Sequence, residues 1–232
     1  KEYRRQRQMC IRDRFEKDGV VEALPYLTEN TKYLMNENDA LSMDFKNQKV
    51  VVLGGGDTAM DCVRTALRQG AKKVTCVYRR DFENMPGSRK EVKHAMEEGV
   101  EFLFNHQIVE AKGDDKLSEL IAEETELFGN DGSGRKKPKV KEGTQKKIEL
   151  DKLVIAFGYQ ASPQEFFTNK KINVDDWGLI QLNNDKFKYQ TSNEKYFAGG
   201  DMIIGSSLAV YAIAHGRDAA KEIIKYLSLI HI

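Results

Sequence analysis

Val50-Val51-Val52-Leu53-Gly54-Gly55-Gly56-Asp57-Thr58-Ala59-Met60-Asp61 runs from an apolar stretch through three glycines into a segment whose early residues are small. Gly54, Gly56 and Ala59 fit the spacing G-x-G-x-x-G/A. In that pattern glycines make a strand-to-helix turn and let the backbone reach a pyrophosphate at the helix N-terminus. The letters alone would be weak, because ordinary turns are rich in glycine. The flanks carry the reading. Thr58 to Gln69 places Ala59, Met60, Cys62, Val63, Ala66 and Leu67 at helical spacing, and Gly70 stands where a C-cap glycine belongs. A second strand, Val74 to Tyr78, completes a β-α-β unit of about 30 residues, the unit of a mononucleotide-binding half.

That second strand ends at Tyr78-Arg79-Arg80, about 20 residues past the glycines, where an NAD-binding protein places a carboxylate for the ribose 2′-hydroxyl. A guanidinium fork suits the 2′-phosphate of NADP instead, so the pair predicts NADPH over NADH. Two arginines solvated at a strand end would read the same way, and Asp81 follows directly.

The remaining composition narrows the class. The chain has 232 residues, 40% of them apolar and 31% charged, as expected of a globular protein with one or two cores. A net charge of +1 gives no reason to expect a nucleic acid or an anionic membrane as partner. No apolar run is long enough to span a bilayer and no signal pattern is visible, so the expected location is cytoplasmic. Cys10, Cys62 and Cys76 form no C-x-x-C pair, and Cys62 and Cys76 read as small buried residues of a reducing compartment. His94, His106, His215 and His231 show no metal-ligand spacing and are assigned no chemistry.

Further along, Pro86-Gly87 makes a turn, and Ser88 with Glu91 has the form of a capping box opening a helix that ends at Gly99. Val100 to Ile108 reads as one strand. Leu117 to Leu127, Lys147 to Leu150 and Leu153 to Phe157 read as three more, and the polar stretch Gly129 to Thr144 as a solvated hairpin loop containing Arg135-Lys136-Lys137. A last strand predicted at Tyr196-Phe197-Ala198-Gly199-Gly200-Asp201 precedes a helix from about Ser207 to Leu227. A carboxylate after a Gly-Gly turn can hold ribityl or ribose hydroxyls, although strand-end Gly-Asp is also a frequent turn.

The stretch from Val50 to Ala66, with Val-Tyr-Arg-Arg-Asp at 77–81 and Asn-Met-Pro-Gly-Ser-Arg-Lys-Glu-Val at 84–92, closely resembles the small (beta) subunit of NADPH-dependent glutamate synthase. Ala-Phe-Gly at 156–158, Gln-Thr-Ser-Asn at 190–193, Phe-Ala-Gly-Gly-Asp at 197–201 and Ala-Ile-Ala-His-Gly-Arg at 212–217 match the same family in order. The resemblance covers roughly residues 15–228. It implies an α/β fold of the pyridine nucleotide-disulfide oxidoreductase type. A Rossmann-like parallel sheet with helices and an antiparallel β-meander would form an NADPH domain, followed by the C-terminal part of a second, FAD-binding Rossmann-like domain. The implied division is 15–45 as a linker and helix from the FAD domain, 46–158 as the NADPH domain and 159–228 as the FAD part.

In that family hydride passes from NADPH to FAD, and electrons continue through iron–sulfur clusters to the large (alpha) subunit, where glutamate is made. The resemblance gives Gly55, Gly56, Asp57 and Thr58 to the pyrophosphate, beside Gly54 of the cofactor-binding glycine turn, Arg79 and Arg80 to the 2′-phosphate, and Arg89 as their assistant. It gives Gly158 to the nicotinamide, and Gly200, Asp201 and Ala209 to FAD. No side-chain acid or base is required, because the protein only positions two cofactors for direct hydride transfer.

The family's own N-terminal flavin βαβ unit and cysteine-rich iron–sulfur region do not occur in this sequence. The chain therefore reads as the C-terminal half of such a subunit, expected to bind NADPH and to hold FAD weakly or not at all. Residues 1–14 and 229–232 fit neither the periodicity nor the family pattern and read as non-native tails; a charged N-terminal helix and an apolar C-terminal tail are the alternative. Two rival functions stay open. One is a sibling electron-transfer subunit, such as a ferredoxin-dependent NADPH transhydrogenase or a dihydropyrimidine dehydrogenase-like reductase; the other is a non-catalytic NADP-binding module.

Overall fold

A computed structural model describes residues 18–114, 116–131, 134–158, 161–183 and 185–230, and the side chains of all of these except 229 and 230. The chain divides into two compact units between Gly158 and Tyr159. The first contains, in chain order, β1 (Val20–Glu22), α1 (Ala23–Leu34), β2 (Lys49–Leu53), α2 (Asp57–Arg68), β3 (Lys73–Val77), α3 (Arg89–Glu97), β4 (Glu101–Leu103), β5 (His106–Lys112), β6 (Glu119–Asn130), β7 (Lys136–Val140), β8 (Lys146–Glu149) and β9 (Lys152–Ile155).

Five strands form a parallel sheet in the order β1-β9-β2-β3-β4. β2 reads as an unbroken apolar run because both its faces are covered, as parallel sheets require. Alternate residues point to opposite sides. Val50 and Val52, with Val74, Cys76 and Val154, pack against apolar residues of α1, α2 and α3. Val51 and Leu53, with Val77 and Leu153, pack against Ile108, Leu117, Leu120 and Ala122 of the antiparallel layer. In that layer β6 is the shared strand: β5 and β8 pair with its first half, β7 with its second. The fold class predicted from the sequence is thus the one observed.

Helix α2 stops as its sequence dictates. Gly70 takes φ +87, its N–H reaches the Leu67 carbonyl at 2.9 Å, and the Ala71 N–H reaches that of Ala66 at 3.1 Å. This is the paired 5→2 and 6→1 closure of a Schellman motif. A Gly70→Ala variant should lose about 1–2 kcal/mol from the left-handed conformation alone, read as a lowered urea midpoint at unchanged slope.

Several expectations are corrected. Ser88 caps α3 without a side-chain bond, so no capping box forms. Glu91 instead pairs with Arg64 of α2, which also holds Glu98 at 2.7 Å, tying the two helices together. The strand expected over 100–108 is broken: Asn105 takes φ +52, and β4 and β5 lie in different sheets. The hairpin loop expected over 129–144 contains β7, because Lys136 to Val140 find ladder partners in Thr125 to Asn130. Residues 20–34, within the stretch expected as a linker and helix, fall in the first unit: Val20–Glu22 is a parallel edge strand on β9, and α1 packs on the sheet through Ala23 and Tyr26. Tyr26 stacks on Phe45 with ring centroids 4.5 Å apart and donates its hydroxyl to Gln69 Oε1 at 3.0 Å.

The two described cysteines are buried. Cys76 donates its S–H to the Gly54 carbonyl at 3.3 Å, and burial pushes both thiols up to about 12. The folded chain therefore holds these protons between about pH 9 and 12, where the unfolded chain has released them. Their contribution to stability is intact below pH 9 and fades as pH rises through that window. Denaturation midpoints should fall from pH 8 to pH 10.5, and less steeply in a Cys62→Ala/Cys76→Ala variant. Cys10 lies outside the described residues.

The second unit contains α4 (Glu165–Asn169), α5 (Asp201–Ile204) and α6 (Ala209–Ile230). Phe167, Ile172, Ile180 and Ala198 form its small core. Phe187 and Phe197 meet Tyr226 of α6 edge-on, at 5.6 and 5.7 Å between ring centroids. The strand expected at 196–201 is reduced to one bridge, Gln190 to Phe197, because turns take the neighbouring bonds: Thr191 N–H reaches the Tyr196 carbonyl at 2.9 Å, and Tyr196 N–H that of Asn193 at 3.0 Å. α6 runs through Ile230, past the expected end at Leu227. Of the supposed tails, residues 1–14, 231 and 232 lie outside the described residues. No helix among the described residues is long and apolar enough to cross a membrane.

Candidate functional site

At the carboxyl end of β2 the three glycines are small for three different reasons. A Cβ on Gly54 would lie 2.2 Å from the Ala156 carbonyl oxygen, and φ there is +149. A Cβ on Gly55 would lie 2.5 Å from the Tyr78 ring. Around Gly56 the protein offers no obstacle: nothing lies within 4 Å of its Cβ position, and its backbone is extended at φ −91, ψ 176. Gly54 and Gly55 are thus required by the protein's own packing. Gly56 leaves open space at the start of α2.

The amides of this turn lack acceptors. Gly54 N–H bonds to Val77 O at 3.3 Å, and the helical ladder begins with Ala59 N–H on Gly56 O at 2.9 Å. Between them, the N–H groups of Gly55, Gly56, Asp57 and Thr58 have no acceptor among the described residues. Four consecutive orphan donors at the N-terminus of a 12-residue helix can receive an anion, with the helix dipole adding to their field. The Asp57 carboxylate does not serve it; Oδ1 accepts the Ser88 N–H at 2.7 Å and holds the 81–88 loop against the turn. Gly87 N–H closes the same seam on the Gly55 carbonyl at 2.9 Å. The Thr58 hydroxyl has no partner among the described residues.

Beside this turn stands the end of β3, and there the two arginines part company. Arg79 is exposed, and its carbonyl receives the Thr125 hydroxyl at 2.9 Å. Arg80 is 4% exposed; its Nε donates to the Lys136 carbonyl at 2.6 Å and its Nη2 to Asp131 Oδ2 at 2.7 Å. Arg80, expected at a 2′-phosphate, thus stands in a buried pair with Asp131. Arg89, expected to assist there, is exposed. It lies 4.4 Å over the Phe82 ring and donates to the carbonyls of Phe82 and Glu83 at 2.5 and 2.8 Å, which shapes the loop. Gly158, at φ +82 with open space around its Cβ position, ends the first unit.

In the second unit Gly200 takes φ +67, ψ −147, and donates its N–H to His215 Nδ1 at 3.1 Å. A Cβ on Gly200 would lie 3.1 Å from that of Ala212, and one on Gly199 would lie 3.0 Å from the His215 Cβ. These glycines let the turn lie close against α6. Asp201, exposed, opens the four-residue α5, and Ala209, one turn before Ala212, opens α6. His215 was given no role by its spacing; the structure makes it the acceptor that fixes the Gly-Gly-Asp turn. Asp131 and Asn84 were likewise missed, because their contacts to Arg80 and Lys136 lie 51 and 52 residues away in sequence. No cluster of metal-ligating side chains occurs among the described residues.

A parallel sheet with helices on one face, an antiparallel layer on the other and a glycine turn at its carboxyl edge is an α/β fold of the dinucleotide-binding type. The chain belongs to the pyridine nucleotide-disulphide oxidoreductase family, whose model matches residues 14–216. It is 48% identical over 214 residues to the glutamate synthase [NADPH] small chain of Halomonas elongata, covering 91% of this chain and 45% of that protein. It is 45% identical over 217 residues to the putative oxidoreductase AegA of Escherichia coli strain K12, covering 91% and 33%. Among solved structures, thioredoxin reductase of Lactococcus lactis matches with a TM-score of 0.60 at 25% identity, over 79% of this chain and 54% of that one. The chain spans less than half the length of these two relatives. The family resemblance drawn from the spaced motifs is borne out as homology.

Proposed function

We infer that this chain is the NADPH-reading portion, with part of the FAD site, of a flavin oxidoreductase of the glutamate synthase small-subunit kind. The observation that carries this reading is the row of acceptor-free amides from Gly55 to Thr58 opening on the space beside Gly56. Those amides would hold the pyrophosphate. Arg79 would meet the 2′-phosphate, while Asp57, Arg80 and Arg89 shape the walls through the contacts above. Gly158 would serve the nicotinamide end, and Gly200, Asp201 and Ala209 the flavin. When both are bound, NADPH supplies a hydride and the flavin accepts it; the protein's part is to bind and orient them, with no proton transfer by a side chain.

The electrons would go on through iron–sulfur clusters to a glutamate synthase large subunit. The identity to AegA, only a few points lower, favours a second reading in which the same module feeds another electron acceptor. Titrating the chain with NADPH and NADH by nucleotide fluorescence tests the common core of both: NADPH should bind tighter by at least tenfold, and equal or absent binding refutes it. Activity with added glutamate synthase large subunit, measured after this chain is joined to the N-terminal flavin and iron–sulfur half of such a small subunit, separates the two.

A further inference from the structure

Arg80 and Asp131 are 51 residues apart, yet their contact closes a small network at the corner where Arg79 emerges. Asp131 Oδ1 accepts the Arg135 N–H at 3.1 Å, while Arg80 grips Oδ2 and the Lys136 carbonyl. Lys136 N–H reaches Asn84 Oδ1 at 3.1 Å. Asn84 is itself fixed, by Asp81 Oδ1 at 2.6 Å and by the Tyr78 hydroxyl on its carbonyl at 2.9 Å. The start of β7 is thereby clamped from two sides against the loop that follows Arg79. It brings with it the run Arg135-Lys136-Lys137. Lys136 is exposed, and its ammonium has no partner among the described residues.

We propose that the β6–β7 hairpin is part of the NADPH-selecting site: Arg80 acts as a positioning residue that latches the hairpin through Asp131, and Lys136 supplies a second cation toward the phosphate that Arg79 meets. This rests on the NADPH reading above. A ribose 2′-phosphate carries close to two negative charges, and a second cation in a fixed place adds to its attraction. The latch uses only the backbone of Lys136, so charge and clamp can be separated by mutation.

The experiment measures NADPH and NADH dissociation constants in the same 232-residue chain for wild type, Lys136→Gln, Asp131→Asn and Arg80→Met, with thermal midpoints alongside. Lys136→Gln should keep the wild-type midpoint and lower the NADPH-to-NADH preference about three- to tenfold. Asp131→Asn should lower that preference by a similar factor while NADH binding stays within twofold, and combining it with Lys136→Gln should add little, because both remove one cation from one place. If both variants lower only the midpoint, or leave the ratio of the two nucleotides unchanged, the hairpin has no part in selection. Should Arg80→Met fail to fold, the two milder variants decide. A wild-type chain that binds neither nucleotide, or both equally, sinks the NADPH reading itself; a preference that persists in all variants sinks only this proposal.

Discussion

Gly56→Thr is expected to leave the fold standing and remove the nucleotide. Threonine caps a helix about as well as glycine, and the extended backbone at Gly56 accepts a β-branched side chain. Its Cβ meets no protein atom within 4 Å, so the thermal midpoint should stay within about 2 °C of wild type. The same side chain takes up space next to four acceptor-free amides. Losing one or two charge-assisted bonds from those amides costs about 3 kcal/mol, roughly a hundredfold in NADPH affinity. Gly54→Ala should do the reverse kind of damage. There a methyl group would have to displace the Ala156 carbonyl from 2.2 Å, disturbing the Ala156 N–H bond to Leu53 O. Overpacking together with an unfavourable φ costs about 3 kcal/mol or more, which for a chain of this size lowers the midpoint by about 6–12 °C. Calorimetry and nucleotide titration of the two variants check both halves. If Gly56→Thr binds NADPH normally, the phosphates lie elsewhere.

Arg79→Ala is expected to erase the preference for NADPH while sparing NADH. A guanidinium meeting the 2′-phosphate contributes on the order of 1.5–3 kcal/mol, about ten- to a hundredfold in affinity, and has nothing comparable to gain from a ribose hydroxyl. NADH binding should move less than about twofold, and raising the salt should weaken NADPH binding more in wild type than in the variant. A variant that loses both nucleotides equally would show that Arg79 shapes the pocket and does not read the phosphate.

Arg79 and Arg80 show where sequence reading stops. Both follow β3 with the same chemistry, so position and residue type make them equivalent. Only the fold leaves Arg79 exposed and buries Arg80 against Asp131, just past the end of β6. Asp57 teaches the same lesson. Its place in the glycine motif suggests a phosphate role, whereas its carboxylate is taken by an amide of the 81–88 loop, a contact 31 residues away in sequence.

What the sequence by itself determined is local: an apolar β2 that demands cover on both faces, the glycine turn, the amphipathic α2 with its left-handed Gly70, and the run of motifs that marks the family. Each follows from periodicity, from backbone freedom or from residue order within some 20 positions. The tertiary structure decided whatever depends on which distant atoms meet. It set Val20–Glu22 as an edge strand on β9, broke the 100–108 strand at Asn105 between two sheets, and recruited β7 from an apparent loop through its ladder with β6. It also assigned the three glycines their separate reasons, because a missing Cβ is explained only by what would have occupied its place: a carbonyl at Gly54, a tyrosine ring at Gly55, and at Gly56 no protein atom at all.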